Sequence, residues 1–397
     1  MKEVVIVATA RTAIGKIGGT LKNIQPENLL TTVFEGVIQK AGINASIIDE
    51  VIAGQAKQST DAPNIARVSA LSANIPECTP AYTVHRQCAS GMQALYSATE
   101  EILCGDSNVV LTGGVESMST APFYVRGARF GVGNGNTGFI DPNIESQPKS
   151  QPNDIYGTFN MIQTADNVAK LYSITREECD VFAYESQIKA IKAIDNGLFK
   201  EEIVPVLVAQ KKNSIIFDTD EFPKRDTNME KLSKLKPINE GGVTTAGNAS
   251  GRNDGASAIL LMSADKAQEL QIKPLAKIIG FAAAGVDPRI MGIGPVAATK
   301  KLLKKINMQI EDFDLYEINE AFAAQSIACA KELNIDRAKL NVNGGAIALG
   351  HPLGCSGSRI VGTLAHELKR RNAKYGLASI CIAGGLGMAM AIENLNL

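Results

Sequence analysis

Three short stretches of this 397-residue chain carry side chains able to do covalent chemistry. In Val84-His85-Arg86-Gln87-Cys88-Ala89-Ser90-Gly91 an apolar, strand-like run ends in polar residues, and a single cysteine follows. A small-residue turn then opens a helix from Met92 to Cys104. A thiol at that point has its sulfur and its own backbone N–H at the positive end of a helix dipole, which favours the nucleophilic thiolate. Such a thiol needs a base, and the chain has three histidines to offer. His351 lies in Gly350-His351-Pro352-Leu353-Gly354, where the flanking glycine and proline fix a loop that gives an imidazole little to pack against. His366, in the helix Thr363 to Arg370 among Glu and Lys, reads as a solvated surface residue, and His85 as one that hydrogen-bonds its own loop. The third stretch, Ile380-Cys381-Ile382-Ala383-Gly384-Gly385, is a strand that runs into a glycine turn with a cysteine at its rim.

The elements around these stretches follow a repeated plan. In the first part Val4 to Ala8 reads as a buried strand, Pro26 to Ala41 as an amphipathic helix with proline at its start, and Val51 to Gly54 as a strand. Asn64 to Ser72 reads as a helix, and after the Cys88 turn and its helix comes the strand Asn108 to Gly114. The later part repeats the order: strand Pro274 to Gly280, helix Pro295 to Ile306, strand Asp314 to Ile318, helix Glu320 to Leu333. A second helix then opens at Gly354-Cys355-Ser356-Gly357, and a strand from Leu377 ends in Gly384-Gly385. Cys88-Ala-Ser-Gly facing Gly354-Cys-Ser-Gly at a nearly constant offset points to a duplication. Two such halves predict a five-layered α/β/α/β/α molecule with the site between them. Asn319-Glu320-Ala321-Phe322 follows a buried strand, so its polar side chains fall at a carboxyl end, where ligands gather in open α/β sheets.

Between the halves, 122–248 differs in character. Arg126 to Asp154 is rich in Gly, Asn, Pro and Gln and reads as surface loop. Its Gly133-Asn134-Gly135-Asn136-Thr137-Gly138 lacks the strand and helix that a dinucleotide fingerprint needs. The lysine-rich run Lys211 to Lys236 is either a solvated face or a phosphate-holding element. Forty basic against forty-one acidic residues give no warrant for nucleic-acid or membrane-surface binding. No apolar run reaches the ~18 residues of a membrane span, and the start reads as a strand rather than an export signal, which predicts a cytoplasmic protein. Seven scattered cysteines without a C-x-x-C pair argue against a disulfide framework and against a zinc site.

Six motifs in order carry a resemblance: 84–91 above, Gly-Gly-Val-Glu-Ser-Met (113–118), Asn-Ala-Ser-Gly-Arg-Asn-Asp-Gly-Ala (248–256), Asn-Glu-Ala-Phe-Ala (319–323), Gly-His-Pro-Leu-Gly (350–354) and Cys-Ile-Ala-Gly-Gly-Leu-Gly (381–387). Through them the chain resembles the thiolases, acyl-CoA C-acyltransferases, along essentially its whole length. The resemblance implies an N-terminal half of 1–121 plus 249–272, a loop domain of 122–248 for coenzyme A binding and oligomerisation, and a C-terminal half of 273–397. It implies Cys88 as the acyl-accepting nucleophile, His351 as its base, and Cys381 as the acid–base thiol for the second acetyl-CoA. Asn319 would orient a water at one oxyanion site, and the backbone N–H groups of Cys88 and Ala383 would form the other. Ser250, Ala321 and Arg225 or Lys224 are the implied contacts to coenzyme A, and Met161 and Met291 would keep the acyl pocket short. Asn160 and Ile162 depart from the short-chain pattern, and Ala383 stands where glycine is usual.

The implied reaction is the reversible condensation of two acetyl-CoA to acetoacetyl-CoA and coenzyme A. Coenzyme A thioesters would be its substrates, with no resident cofactor and no metal, in a homodimer or homotetramer. Medium-chain 3-ketoacyl-CoA thiolysis and a non-catalytic acyl-CoA carrier are the alternatives. A decarboxylating ketoacyl synthase is disfavoured by Cys381. Two thiols at one pocket also raise the expectation that mild oxidation joins Cys88 to Cys381.

Overall fold

The aliphatic runs of the sequence become strands, and the computed structural model, which describes residues 2–211 and 213–397, places ten of them in one sheet. Its order is Leu315–Ile318, Tyr375–Ile382, Leu386–Asn394, Ala276–Gly285, Val4–Arg11, Asn253–Ser263, Val109–Ser117, Glu50–Gly54 and Ala81–Val84, with short Gly15–Lys16 beside Asn253–Ser263. The halves are joined at Val4–Arg11, which pairs with Ala276–Gly285 only through Val5 with Lys277 and Ile6 with Ala276.

Side-chain alternation along the strands builds the layers. Val5, Val7, Leu111, Leu260 and Met262 face outward onto the helix Pro26–Ala41 and the helix Ile65–Ser72. Their neighbours Val4, Ile6, Val110, Ile259 and Leu261 face inward, onto Met92 and Leu95 of the helix Ser90–Cys104 and Ile360 and Leu364 of the helix Leu353–Arg371. The same inner layer receives Ala378, Ile380, Met388, Met390 and Ile392 from the second half. Leu377, Ala389 and Ala391 face the other way, onto Val296 and Leu302 of the helix Gly294–Ile306 and Ile327 of the helix Ala323–Glu332. The predicted five α/β/α/β/α layers are present, with two helices enclosed between sheet faces.

That enclosure corrects the reading of His366. It lies on the enclosed helix Leu353–Arg371 and is buried, its Nε2 2.8 Å from the Thr9 hydroxyl and its Nδ1 3.5 Å from the Glu201 carboxylate. Charged neighbours in sequence marked it as solvated. The helix has a charged end, but sheet covers both of its flanks.

The intervening segment is more ordered than its composition suggests. Thr175 caps the helix Arg176–Asp195 with Glu178 completing a capping box, and Asn160 with Gln163 does the same for the helix Met161–Leu171. Asn160 is therefore accounted for as a helix start. Buried Arg11 clamps the segment to the first strand through Glu202 at 3.0 Å and Asp220 at 2.8 Å. The expected loop 126–154 is exposed around its glycines but contains the helical turn Pro142–Glu145, which folds inward. Among the described residues, no helix is long and apolar enough to cross a membrane.

Candidate active site

Strand direction decides where the chemistry gathers. Glu50–Gly54 runs parallel to both Ala81–Val84 and Val109–Ser117, and Leu315–Ile318 parallel to Tyr375–Ile382. The residues just beyond, or at, these carboxyl ends are Lys57, Cys88, Met118, Asn319, Cys381 and Ala383. All except Asn319 line one cavity of about 410 Å³, together with His351 from the loop before the second enclosed helix. Met161, Met291, Ser250 and Ala321 line it as well. Asn319, fully buried, stands behind the histidine.

Gln87, in a left-handed backbone conformation (φ 46°), makes the sharp bend that presents Cys88. The first half is pressed onto the histidine loop of the second at two glycines. A Cβ on Gly114 would stand 2.0 Å from the Gly354 carbonyl oxygen, and one on Gly91 2.6 Å from it. The buried Glu116 carboxylate ties the same seam, accepting hydrogen bonds from the backbone N–H of Ala56 (3.1 Å), Lys57 (3.0 Å) and Gly354 (3.1 Å). Its burial raises its pKa to about 7.

The Cys88 thiol is not held as a thiolate, contrary to what its helix-start position predicts. Burial pushes it up to about 11, against the opposing pull of the backbone N–H groups of Ala383 and of Cys88 itself and of the Lys57 ammonium. Desolvation outweighs the helix end because the half-buried sulfur sits inside the cavity rather than in open solvent. Those same two N–H groups face the sulfur, where an acyl oxygen attached to it would need them. Ala383 is absent from the residues with positive φ, which fall to Gly384 (88°) and Gly385 (81°), so alanine fits there.

His351 is neutral, its pKa lowered to about 3 by burial and then by the Arg359 guanidinium. Its tautomer follows from its neighbours. The Ser356 hydroxyl gives its proton to the Pro352 carbonyl (2.9 Å), so at 2.6 Å from His351 Nδ1 it can only accept. Nδ1 therefore carries the hydrogen, and the buried Nε2, which has no protein partner, presents a lone pair to the cavity. The Asn319 amide lies 3.5 Å from the same Nδ1–H. Its oxygen is the better match there, which turns its NH2 toward the buried position left without a partner. Replacing Ser356 by alanine is expected to lower kcat about tenfold, the worth of one buried hydrogen bond, while threonine restores it. Steady-state rates of the two variants, with thermal melts to confirm folding, check this.

Cys381 is buried, and its thiol is pushed well above the ordinary value by desolvation, then by the Cys88 and Cys329 sulfurs. Both active-site cysteines are free thiols. The candidate coenzyme A contacts divide. Lys224 lines the cavity with Phe222 and Arg252, whereas Arg225 is not brought to it; its exposed guanidinium pairs with Asp195 at 2.6 Å. His85 is exposed and its Nε2 lies 3.2 Å from the Ala56 carbonyl oxygen, in the loop after Glu50–Gly54 rather than in its own. Cys355 packs, its Sγ 3.4 Å from the Ser257 hydroxyl. Lys57, Arg252, Ser356 and Asn143 were not singled out from sequence. Lys57 alone had a signal, standing three residues past a buried strand's carboxyl end.

Two adjoining family profiles cover nearly the whole chain, "Thiolase, N-terminal domain" over residues 4–265 and "Thiolase, C-terminal domain" over residues 272–394. The chain belongs to the thiolase family. Among thiolases it is 48% identical over 394 residues, 99% of each chain, to an acetyl-CoA acetyltransferase of Pseudomonas aeruginosa. It is 47% identical over 395 residues to that of Cupriavidus necator, covering 99% of this chain and 100% of the relative. The crystal structure of the Bacillus anthracis acetyl-CoA acetyltransferase superposes with a TM-score of 0.97 at 46% identity, covering 100% and 99% of the two chains. The human mitochondrial 3-ketoacyl-CoA thiolase gives 0.95 at 42%, covering 99% of each. The boundary between the thiolase profiles falls in the short helix Ala264–Glu269 and the turn after it, between the strands Asn253–Ser263 and Ala276–Gly285 that flank Val4–Arg11 in the sheet.

Proposed function

We propose that this thiolase is an acetyl-CoA C-acetyltransferase that joins two acetyl-CoA reversibly into acetoacetyl-CoA and coenzyme A. The observation that carries the reading is the meeting of Cys88 from one half with His351 and Cys381 from the other in a single cavity. In the first half-reaction Cys88 Sγ attacks the thioester carbonyl as its proton passes to His351 Nε2, which avoids forming a free buried thiolate. Charge that develops on the carbonyl oxygen is taken by the N–H groups of Cys88 and Ala383. The imidazolium returns its proton to the departing coenzyme A thiolate, leaving acetyl-Cys88.

In the second half-reaction the Nε2 lone pair of neutral His351 takes the Cys381 proton, the resulting thiolate removes the α-proton of another acetyl-CoA, and the imidazolium N–H with the Asn319 side faces the enolate oxygen. The enolate attacks the acetyl carbon, the C–C bond forms, and the Cys88 sulfur leaves with the proton from His351, so both thiols and the imidazole return to their neutral resting forms. No resident cofactor enters this chemistry. Lys224 and Arg252 are the cations we assign to the phosphates of coenzyme A, with Ser250 beside the pantetheine arm. Exposed Phe130 and Phe139, 96% and 81% accessible, fit a loop that packs against another subunit of a homo-oligomer.

The similarity to the human mitochondrial 3-ketoacyl-CoA thiolase and the presence of Ile162 in the cavity lining favour a second reading, thiolysis of longer 3-oxoacyl thioesters. Steady-state cleavage of acetoacetyl-CoA against straight-chain 3-oxoacyl-CoA of six to twelve carbons separates the two. A kcat/KM that falls with each added pair of carbons supports the acetyltransferase, and one that rises refutes it.

A further inference from the structure

The reacting groups occupy only part of the cavity. Met161, Met291, Phe322 and Leu353 make one side apolar, as an acetyl group and a pantetheine arm require. The lining also holds a polar wing made by Lys57, Asn143, Ser146, Gln147 and Ser150. A methyl group has no use for such a wall, since nothing on it can satisfy an ammonium or an amide.

Lys57 is the centre of this wing. Its ammonium donates to the Pro142 carbonyl at 3.0 Å and to the Ser146 hydroxyl, which leaves one N–H for the cavity. It enters no ion pair among the described residues, although most of the exposed lysines and arginines that pair do so on open surface. The Glu116 carboxylate lies near enough in space for its charge to act on the ammonium, but its oxygens are turned to three backbone N–H groups. A half-buried cation without a carboxylate in ion-pair contact is unfavourable, and burial lowers its pKa below the usual lysine value against the more distant pull of Glu116. Asn143 gives an independent sign of a missing partner. Its side chain is 6% exposed and lines the cavity; its NH2 donates to the Met118 carbonyl at 2.9 Å, and its amide oxygen has no partner. Among the described residues lining the cavity none is acidic, while Lys57, Lys224 and Arg252 are basic.

We propose that this wing is a specificity subsite for a 3-oxoacyl thioester whose acyl chain ends in a carboxylate, with the Lys57 ammonium as counter-ion to that carboxylate. Lys57 and Cys88 share the cavity, so an acyl group bound on the sulfur and extended by a few carbons points its far end at the wing. The unpartnered amide oxygen of Asn143 holds a water that bridges to the carboxylate. Lys224 and Arg252 remain with the phosphates of coenzyme A. The inference rests on the thiolase activity proposed above and names a substrate class for its acyl side.

The test compares two thioesters of equal chain length, 3-oxohexanedioyl-CoA and 3-oxohexanoyl-CoA, by coenzyme A-dependent cleavage. Wild-type enzyme should favour the carboxylate-bearing substrate at least tenfold in kcat/KM. In Lys57→Met the ratio should fall to one or below, and in Lys57→Arg it should stay above one. A wild-type ratio at or below one overturns the proposal whatever the variants do, as does a ratio unchanged in folded Lys57→Met. The latter would leave Lys57 as a charge that serves both substrates alike. Acetoacetyl-CoA cleavage by the wild type is measured alongside. Its absence would refute the thiolase reading itself, whereas its presence with no preference between the six-carbon substrates refutes only the subsite.

Discussion

Replacing Cys88 by serine is expected to lower turnover on the order of 10⁴-fold or more and to abolish labelling of the protein by radioactive acetyl-CoA. The magnitude follows from losing a covalent path, since removal of a nucleophile from a cooperating set leaves only binding and oxyanion stabilisation. A serine hydroxyl at the same site is far less acidic than the thiol, and His351, held neutral by burial, is a weak base. Retained labelling at another thiol would sink the assignment of Cys88. The same residue carries a pH signature. With the thiol near 11 and the imidazole near 3, both partners stay neutral across the whole physiological range. Alkylation of resting enzyme by iodoacetamide should therefore keep rising between pH 7 and 10, because each unit of pH increases the thiolate fraction about tenfold. A plateau near neutrality would show a preformed ion pair instead.

Replacing His351 by alanine is expected to cost about 10³-fold in kcat, within the range for loss of a positioned general base. The deficit should concentrate in the acylation half-reaction, measured as the rate of acetyl-enzyme formation in a single turnover. Binding should change little, since the imidazole offers the resting ligand one ring edge. An acylation rate within a few-fold of wild type would move the role of base to another group. The histidine also leaves a trace in stability. Its folded-state pKa lies below the unfolded value, so the fold binds its proton less readily than the open chain does. The stability it contributes is present above about pH 6.5 and is lost as the pH falls toward 3. In the alanine variant that part of the acid sensitivity should disappear.

The sequence carried the architecture further than it carried the site. The duplicated order of strands and helices was readable because apolar runs and glycine turns are local signals. The helix Pro26–Ala41 was delimited correctly by its proline and by the left-handed glycine that ends it. Cys88, His351 and Cys381 were legible because each sits in or beside a glycine-bearing turn, where side chains are placed for reach rather than for packing. Burial was not legible. His366 looked like surface because its sequence neighbours are charged, and the Cys88 thiol looked acidic because the helix end is local while desolvation comes from both halves together. The same limit hid Lys57 and Asn143. Their meaning lies in the absence of partners, and partners contributed by residues 118, 142 and 146 are set by a loop whose composition promised only exposure. Arg225 and Lys224 were adjacent candidates, and the turn closed by the Thr227 N–H on the Lys224 carbonyl separates the one that faces the cavity from the one that meets Asp195.

The joint between the halves has a consequence for how the chain is made. Val4–Arg11 leaves a ribosome long before either of its sheet partners, yet it lies in the middle of the sheet. Its partners are Asn253–Ser263 on one side and Ala276–Gly285 on the other. At about 5–20 residues per second, this apolar strand waits on the order of ten to fifty seconds with both edges open. Nascent chains halted at residue 250 should therefore crosslink to holding chaperones through 4–11, and chains halted well past 285 should not. Capture that is equal at both lengths would show that the strand finds cover elsewhere. The price of placing this strand at the seam is a sheet that stays unfinished until both partners have followed, so supply of the protein depends on chaperone capacity as much as on its own stability.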